Sequence, residues 1–385
     1  MEFQLPSYVL YCLNTLESHG FEAWCVGGAV RDHIMGKQPF DYDITTNARP
    51  EKIIEIFPKT VPTGLQHGTV TVVTDGGNVE ITTYRADGEY SDHRTPDSVV
   101  FQETVDKDLS RRDFTMNAIC YNPNKGFYDP ENGIKDIKNG IIRAIGDPVR
   151  RFTEDALRIM RAFRFSAQLG FTIEENTAKA AISLCGLLKD ISVERVYVEL
   201  KRTLTSKFAT KINPLLNCDA FSYLGLSVDG LDDSFNDLPT EFAFRISYIC
   251  KITDTDPMII LGRLKSDNVT INKANIYLAL LNQPFPDNKV DLKRMLNIGE
   301  RFAVETVLDY YDTLGMDTKQ LPEELEDILL NSEPYNIAML DINGKDLIEL
   351  GFKGKEIGEK LDMLLEATIQ DPTLNSKDKL IEKLK

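Results

Sequence analysis

Strand signals are confined to the first part of this chain, and that confinement limits the folds it can adopt. Between residues 20 and 85, short β-branched runs alternate with helical patterns. Within this region the runs 69–73 and 79–84 flank the sequence Thr-Asp-Gly-Gly-Asn, which predicts a hairpin. From Thr153 onward nearly all patterns are helical. The sequence therefore predicts an α+β fold, with a small mixed-sheet head of roughly 130–150 residues followed by an all-helical remainder.

The length of the chain and the absence of long apolar runs limit the class of protein further. With 385 residues, it is expected to form roughly two to four folding units. No apolar run reaches the roughly 18–20 residues needed to cross a bilayer, and the N-terminus lacks the pattern of a signal peptide. We therefore expect no membrane association, and a cytoplasmic location is the default expectation.

Cysteine and histidine are placed where they do not indicate a metal site. The six cysteines, at positions 12, 25, 120, 185, 218 and 250, include no CxxC pair, which argues against a zinc ribbon and a disulfide framework. We expect them to be reduced and mostly buried. All four histidines lie at or before His93, which excludes a His-ligated phosphohydrolase domain from the rest of the chain.

The net charge of the whole chain weighs against a nucleic-acid partner, but the charge of one local stretch does not. The net charge is −16, whereas phosphate binding requires lysine and arginine. The stretch from Lys135 to Arg164, however, carries eight basic residues and four acidic ones. Because a local basic surface matters more than the average, RNA is not excluded as a partner.

A glycine-rich turn precedes a pair of aspartates. The sequence GGAVRD occupies 27–32, and DYD begins a predicted β-strand over 41–45. On a strand, Asp41 and Asp43 would point to the same face. Two close carboxylates repel each other unless a cation lies between them, and Mg²⁺ prefers a few carboxylates together with phosphate oxygens. The structural alternative is a strand with two solvated aspartates.

Three other residues suit the same site. Gly28 would let backbone N–H groups approach a phosphate at a helix N-terminus, and Arg31 could pair with that phosphate. Glu80, in the strand pattern VEITTYR, could complete a set of three carboxylates. The alternative for Glu80 is an exposed glutamate on a strand.

A second motif, RRDFTMNA, occupies residues 111–118. Its residues Arg112, Asp113 and Asn117 fall at helical spacings. Arginine suits a phosphate, whereas aspartate and asparagine suit ribose hydroxyls. The structural alternative is a surface helix that begins with an arginine pair.

A third motif, EDALRIMRAFRF, occupies residues 154–165 and predicts a helix with Thr153 as its N-cap. Four of its polar residues recur every three positions along one ridge, namely Asp155, Arg158, Arg161 and Arg164. Because a carboxylate accepts from an exocyclic amine and a guanidinium donates to a ring acceptor, Asp155 and Arg158 could read the edge of a base. A basic helix with internal salt bridges is the alternative.

These strings together resemble the class II CCA-adding enzymes and bacterial poly(A) polymerases of the nucleotidyltransferase superfamily. GGAVRD with DYD looks like motif A, RRDFTMNA looks like motif B, and EDALRIMRAFRF looks like motif D, the amino-acid template. The string DPENGIKD at 129–136 resembles motif C, which links head and neck, and 191–204 resembles the segment that closes the neck. Residues 340–366 are similar to the tail of the compact bacterial CCA-adding enzymes.

The resemblance implies four parts. They are a nucleotidyltransferase head at 1–138, a helical neck with the nucleotide template at 139–206, a helical body at 207–300 and a helical tRNA-binding tail at 301–385.

The resemblance also implies a role for each candidate residue. The catalytic carboxylates would be Asp41, Asp43 and Glu80, of which Asp41 and Asp43 would hold two Mg²⁺ ions. The nucleotide-binding residues would be Gly28, Arg31, Arg112, Asp113, Asn117, Asp155, Arg158, Arg161 and Arg164. Among these, Asp155 and Arg158 would pair with the incoming base, and Arg161 and Arg164 would lie behind them.

The implied reaction is in-line attack of a tRNA 3′ hydroxyl on CTP or ATP. The tRNA would be gripped through the phosphates of its acceptor stem and T-arm, and no obligatory protein partner is indicated. CTP and ATP share an amine beside a ring acceptor, whereas UTP and GTP place a carbonyl where Asp155 needs a donor.

The resemblance leaves several activities open: addition of CCA, of A alone, of CC alone, or of poly(A). The hydrophilic segment 86–97 resembles the flexible loop that CC-only enzymes shorten or lose, which argues against that activity, whereas A-only addition is harder to exclude. A tRNA-binding protein that has lost catalysis would lack Asp41, Asp43 or Arg158, and all three are present. A dinucleotide-binding protein is disfavoured because GGAVRD is not GxGxxG.

Overall fold

The structure, a computed structural model, describes residues 3–65, 68–87 and 99–384. The chain divides into two units, Met1–Leu231 and Asp232–Lys385. Most of the segment 86–97, which was predicted to form a loop, therefore lies outside the described residues. Within the described part of the chain, no helix is both long enough and apolar enough to cross a membrane.

A seven-stranded mixed sheet forms the centre of the first unit. Its strands are β1 (Ala23–Val26), β2 (Asp43–Thr46), β3 (Thr60–Gly64), β4 (Thr69–Thr74), β5 (Gly77–Thr83), β8 (Cys120–Asn122) and β9 (Gly126–Tyr128). They lie in the order β3-β4-β5-β2-β1-β8-β9. β2 runs parallel to β5 and antiparallel to β1. Two short pairs lie outside this sheet, β6 (Arg85–Asp87) with β7 (Val99–Phe101), and β10 (Ile141–Ile142) with β11 (Thr172–Ile173).

The predicted hairpin is confirmed, and its turn explains the sequence at that point. β4 and β5 pair in register from Thr69 opposite Thr82 to Thr74 opposite Gly77. The hydroxyl of Thr74 donates to the Gly77 carbonyl at 2.6 Å and accepts from the Gly77 N–H at 3.2 Å. This side chain closes the turn around Asp75 and Gly76, where a backbone turn alone would leave polar groups unpaired.

Helices cover the sheet and lead away from it. In the first unit they are α1 (Ser7–Ser18), α2 (Gly28–Ile34), α3 (Pro50–Ile56), α4 (Val105–Ser110), α5 (Gly133–Asn139), α6 (Pro148–Glu154), α7 (Leu157–Leu169), α8 (Glu175–Ser183), α9 (Val193–Leu204) and α10 (Asn213–Leu216). All four residues of β1 are buried, as expected for a central strand covered on both faces. Around it, the core includes Trp24, Val26, Tyr84, Leu109 and Cys120.

The second unit is helical throughout its described residues, as the sequence predicts. Its helices are α11 (Phe242–Thr253), α12 (Pro257–Arg263), α13 (Asn268–Leu281), α14 (Lys289–Ile298), α15 (Arg301–Thr313), α16 (Leu321–Leu330), α17 (Gly344–Glu349), α18 (Lys355–Gln370) and α19 (Lys377–Lys383). Lys293 on α14 is buried, and its ammonium donates to the Ile369 carbonyl at 2.9 Å and pairs with Glu333 at 2.6 Å. These contacts tie α14 to the end of α18.

The predicted α+β class is confirmed by the sheet of the first unit and the helices that follow it. Five of the six cysteines are buried, and Cys218 is partly exposed. The head, neck, body and tail limits stay predictions, since the two units divide the chain only once, after Leu231.

Two local predictions are wrong. The strand predicted over 41–45 begins at Asp43, so Asp41 lies just before it. The helix predicted from Thr153 is interrupted, because Thr153 lies inside α6, whose N-cap is Asp147, and α7 begins only at Leu157.

Candidate active site

One cavity of about 630 Å³ in the first unit brings the predicted residues together. All twelve line it: Gly28, Arg31, Asp41, Asp43, Glu80, Arg112, Asp113, Asn117, Asp155, Arg158, Arg161 and Arg164. The cavity is also lined by residues that the sequence analysis did not single out, including Arg111, Phe165 and Arg195. The three motifs thus meet at one place, although their individual roles stay predictions.

The sheet places two carboxylates side by side. Asp43 opens β2 and is in register with Glu80 on the parallel strand β5. Asp41 is exposed and Tyr42 is buried, so the alternation of the strand extends back to Asp41. The pKa of Asp43 is raised to about 6, because the carboxyl is buried and because Asp41 and Glu80 are negatively charged nearby. A cation bound here would relieve that repulsion.

The carboxylates do not enclose a metal ion by themselves. Across residues 3–65, 68–87 and 99–384, no group of three or more His, Cys, Asp or Glu side chains is placed to hold one. An ion at Asp41 and Asp43 would therefore need oxygen ligands from outside the protein. Mg²⁺ commonly binds in this way, with one or two carboxylates, waters and substrate phosphates.

Arg31 connects the glycine turn to the other motifs. Gly27, with φ 77°, ends β1 in a conformation that favours glycine, and α2 begins at the next residue. From α2, the Arg31 guanidinium donates to Asp32 at 2.7 and 2.9 Å and to the Asn117 amide oxygen at 2.9 Å. It also lies over the Phe165 ring, 5.2 Å from the centroid. This cation is therefore held in place at the cavity wall.

Motif B does not form the helix that its spacing predicts. α4 ends at Ser110, Phe114 is extended and bridges to Ala144, and a short 3₁₀ turn covers Thr115–Asn117. Asp113 folds back within this irregular segment, accepting from its neighbour's N–H at 2.8 Å and from the Asn117 amide at 3.0 Å. Backbone pairing with another segment has overridden the local helical pattern.

Asp113 is an internal partner of motif D. Its second oxygen accepts from Arg161 at 2.7 Å. Burial raises the pKa of Asp113, but the Arg161 guanidinium and the Asn117 amide outweigh burial and lower that pKa to about 2. Asp113 is therefore ionised and joins motif B to helix α7.

Asp108, which sequence reasoning missed, lies beneath the motif B arginines. It has no exposed surface and accepts from Arg111 at 2.7 and 3.0 Å, from Arg112 at 3.2 Å and from the Thr45 hydroxyl at 3.1 Å. Although burial alone raises the pKa of Asp108, Arg112 and Arg111 hold it below its usual range. Its signal in the sequence is an aspartate three and four positions before two arginines, on a short helix.

Asp155, which is predicted to pair with the incoming base, lies in the break between α6 and α7. Asp155 is extended, with φ −141° and ψ 102°. One oxygen accepts from the Leu157 N–H at 3.0 Å, and the other accepts from Arg195 at 2.9 Å. Asp155 therefore accepts from the first N–H of α7 and from a side chain on α9, at the point where the predicted continuous helix is interrupted.

Arg158 is held by three acceptors. One of its terminal nitrogens donates to the Arg151 carbonyl at 3.1 Å and to Glu154 at 3.0 Å, and the other donates to the Arg111 carbonyl at 3.1 Å. It is 8% exposed, so its remaining N–H groups have little access to bulk water. The guanidinium is therefore fixed relative to both motif B and α6.

Arg164 lies deeper than a nucleotide contact would suggest. It pairs with the buried Glu199 at 2.5 Å, donates to Gln168 at 2.9 Å and stacks 3.9 Å from the Phe165 ring centroid. Arg161 also faces that ring, at 5.4 Å. Both arginines line the cavity, but their closest partners are the protein carboxylates Asp113 and Glu199.

Motif C fixes motif B from the other side. Asp136 accepts from the Thr115 hydroxyl at 2.7 Å and from Arg143 at 3.1 Å. A Cβ on Gly133 would lie 2.2 Å from the Thr115 carbonyl oxygen, so the close approach of α5 to motif B requires glycine there.

Family models and curated proteins match this chain along its length. Three models match successive parts: the poly(A) polymerase head domain at 23–143, the RNA and SrmB-binding site of polymerase A at 170–225, and tRNA nucleotidyltransferase domain 2 at 240–384. The CCA-adding enzyme of Geobacillus kaustophilus is 36% identical over 383 residues, covering 96% of this chain and 94% of that protein. That of Ligilactobacillus salivarius is 37% identical over 386 residues, with coverage of 97% and 94%.

Solved structures share the fold. The Bacillus stearothermophilus CCA-adding enzyme in complex with CTP superposes with a TM-score of 0.83 at 32% identity, covering 99% of this chain and 98% of that one. The Thermotoga maritima CCA-adding enzyme complexed with tRNA superposes with a TM-score of 0.66 at 23% identity, covering 99% and 96%.

Proposed function

This chain belongs to the CCA-adding enzymes, and we propose that it adds C, C and A in turn to the 3′ end of tRNA, with CTP and ATP as substrates. The observation that carries this proposal is the cavity in which a carboxylate pair, buried arginines and an Asp–Arg pair meet. A nucleotidyl transfer needs a cation site, a triphosphate site and a means of choosing the base. The three motifs supply one of each.

The carboxylate end of the cavity suits a magnesium site. Asp41 and Asp43 would hold the metal, with Glu80 in register beside Asp43. The raised pKa of Asp43 supports this assignment, because burial and the charges of Asp41 and Glu80 outweigh the nearby Arg112 guanidinium, so a bound cation would stabilise the ionised carboxylate. Bound Mg²⁺ would make the 3′ hydroxyl a better nucleophile and neutralise charge on the leaving pyrophosphate.

The arginines position the triphosphate. Arg31 and Arg112 both line the cavity, beside the glycines that end β1. Their partners, Asn117 and Asp108, keep each guanidinium from swinging into water. Because these cations are ordered before the nucleotide arrives, little conformational entropy is lost when it binds.

Asp155 and Arg158 choose the base with hydrogen-bonding capacity that the protein leaves unused. A carboxylate offers about four acceptor positions, and the described contacts of Asp155 use one on each oxygen. A guanidinium has five N–H donors, and the described contacts of Arg158 use three. The unused acceptor positions of Asp155 and the unused N–H donors of Arg158 suit an amine beside a ring acceptor, which is the edge common to cytosine and adenine. Uracil and guanine would present a carbonyl to Asp155 and repel it.

An incorporation assay tests the proposal. The purified protein is given tRNA lacking its CCA end, or tRNA ending in CC, together with Mg²⁺ and labelled CTP, ATP or both. We expect two C residues followed by one A on the first substrate. Extension of only the CC-ended tRNA, by one A, would instead make the chain an A-adding enzyme, and addition of C alone would make it CC-adding. Failure to extend either tRNA would contradict the proposal.

A further inference from the structure

Asp108 is saturated by protein donors. It has no exposed surface and does not line the cavity. Oδ1 accepts two hydrogen bonds from Arg111, and Oδ2 accepts one from Arg112 and one from Thr45. Because a carboxylate offers about four acceptor positions, nothing remains for a substrate or a metal. Any influence of Asp108 on the reaction must therefore pass through these three neighbours.

Toward the sheet, Asp108 holds the strand that carries a catalytic carboxylate. Thr45 follows Asp43 by two residues on β2, so their side chains share one face. Arg112, held by the same Asp108 oxygen, reaches the glycine turn, since a Cβ on Gly27 would lie 3.4 Å from its Nη1. Through these two contacts, the end of α4 is fixed against the metal and phosphate end of the cavity.

Toward the neck, the same aspartate fixes the acceptor that orients the base reader. Asp108 holds the side chain of Arg111 by two hydrogen bonds. The backbone carbonyl of Arg111 accepts from Arg158 at 3.1 Å and from Arg151 at 3.3 Å. A shift of the Arg111 backbone would therefore carry the Arg158 guanidinium with it.

From these contacts we propose that Asp108 is a positioning residue that couples the carboxylate end of the cavity to its base-reading end. The proposal rests on the nucleotidyltransferase function above. A continuous series of hydrogen bonds runs from Thr45 on β2, through Asp108 and Arg111, to Arg158 on α7. Asp108 thereby keeps the base edge in line with the catalytic carboxylates, so that a base accepted by Arg158 has its phosphate placed for transfer.

A purely structural role makes a different prediction. If Asp108 only neutralised Arg111 and Arg112, its loss would lower stability and reduce the amount of active enzyme for all nucleotides alike. A positioning role also changes the ratio between correct and incorrect nucleotides, because Arg158 moves relative to the base. The ratio of kcat/KM for CTP to that for UTP does not depend on how much of the protein is folded.

The test compares four proteins: the wild type, Asp108→Asn, Thr45→Val and Asp106→Asn. In Asp108→Asn an amide nitrogen, which only donates, replaces one carboxylate oxygen, so the side chain can accept either from Arg111 or from Arg112 and Thr45, but not from both sides. Thr45→Val removes only the hydroxyl contact and leaves both arginines neutralised, which keeps the test valid if Asp108→Asn folds poorly. Asp106 is an exposed aspartate on the same helix, so Asp106→Asn is the matched control.

On tRNA lacking CCA, we expect Asp108→Asn to lower kcat for CTP about 100-fold, the order expected for a displacement of about 1 Å, and to lower the CTP-to-UTP preference about 10-fold. The KM for tRNA should stay within about 3-fold, because phosphate contacts elsewhere hold the tRNA. Thr45→Val should show both changes more weakly, at roughly 5-fold, since it removes one hydrogen bond to Asp108 and leaves the contacts with Arg111 and Arg112 in place. Asp106→Asn should match the wild type.

An unchanged CTP-to-UTP ratio in folded Asp108→Asn and in Thr45→Val would overturn the proposal, whatever happens to kcat. The wild-type arm keeps this outcome separate from failure of the proposed function, because a wild type that adds no C to this tRNA contradicts that function directly. Fluorescence of Trp24, the only tryptophan of the chain, gives the folded fraction of the first unit in each variant.

Discussion

Arg195 donates a hydrogen bond to Oδ2 of Asp155 at 2.9 Å, while the Leu157 N–H donates to Oδ1 at 3.0 Å. The carboxylate proposed to read the base is therefore held at both oxygens. We expect Arg195→Ala to raise the KM for CTP and ATP together by about 5- to 10-fold, because a freed carboxylate must be ordered again by each nucleotide. Arg195→Lys, which keeps the charge, should show a smaller effect. Unchanged KM values for both nucleotides in Arg195→Ala would contradict this role.

Removal of the first cavity carboxylate should stop catalysis. We expect Asp41→Ala to abolish incorporation of both C and A while leaving tRNA affinity within about 3-fold, because the residue is assigned to the metal and not to RNA phosphates. Filter binding measures the affinity, and labelled nucleotide measures the reaction. Asp75→Ala, an exposed aspartate at the hairpin turn of the same sheet, is the matched control and should be fully active. Substantial activity of Asp41→Ala in Mg²⁺ would exclude the metal assignment.

Base choice should depend on the acceptor oxygens of Asp155. We expect Asp155→Ala to reduce the preference for CTP and ATP over UTP and GTP by about 10- to 100-fold, because no carboxylate acceptor at this position then rejects a carbonyl. Asp155→Asn is more informative, since its amide N–H can donate to that carbonyl and should favour UTP. Competition between labelled CTP and UTP on one tRNA measures both effects. Selectivity equal to the wild type in both variants would rule out the template role.

The sequence predicted which residues meet in the cavity better than it predicted their local geometry. Side chains such as Asp43, Asp155 and Arg158 could be singled out because their residue types and spacing suit metal and base binding. The break at Asp155 could not be found, since the pattern of 154–165 is helical throughout. At that break Asp155 accepts from Arg195, which is distant in sequence and reaches Asp155 only because α9 packs against α7.

Residues that support the site were also missed, because their contacts join parts of the chain that are distant in sequence. Asp108 and Glu199 look like ordinary charged helix residues in the sequence, and each becomes informative only through its burial and its arginine partners. The motif B segment was predicted as helix because Arg112, Asp113 and Asn117 have helical spacing. In the fold, Phe114 pairs with Ala144 instead, a contact that no local pattern can indicate.

The approach of α5 to motif B should make Gly133 intolerant of a side chain. A Cβ at this position would lie 2.2 Å from the Thr115 carbonyl oxygen. We therefore expect Gly133→Ala to lower the free energy of unfolding of the first unit by about 2 kcal/mol or more, since the backbone must shift to relieve the overlap. Gly186→Ala, which would meet no atom within 4 Å, is the control. Urea unfolding followed by Trp24 fluorescence measures both, and equal midpoints for the two variants would contradict the prediction.

Asp113 should make the first unit sensitive to acid. In the folded state the pKa of Asp113 is lowered to about 2 from its ordinary value of 3.8, so ionised Asp113 stabilises the folded protein, fully so above about pH 4. This stabilisation is lost as pH falls from about 4 to about 2, and it amounts to about 2 kcal/mol because one pKa unit corresponds to about 1.4 kcal/mol.

Asp113→Asn isolates this contribution, because the amide cannot titrate and Arg161 loses its charged partner. We expect the variant to be less stable than the wild type near neutral pH, and the difference to narrow as the pH falls to about 2, where about half of the wild-type carboxyl in the folded state is protonated. Urea unfolding followed by Trp24 fluorescence at several pH values gives the free energy of unfolding of each protein. A difference that stayed constant from neutral pH to about pH 2 would mean that Asp113 contributes through packing and not through its charge.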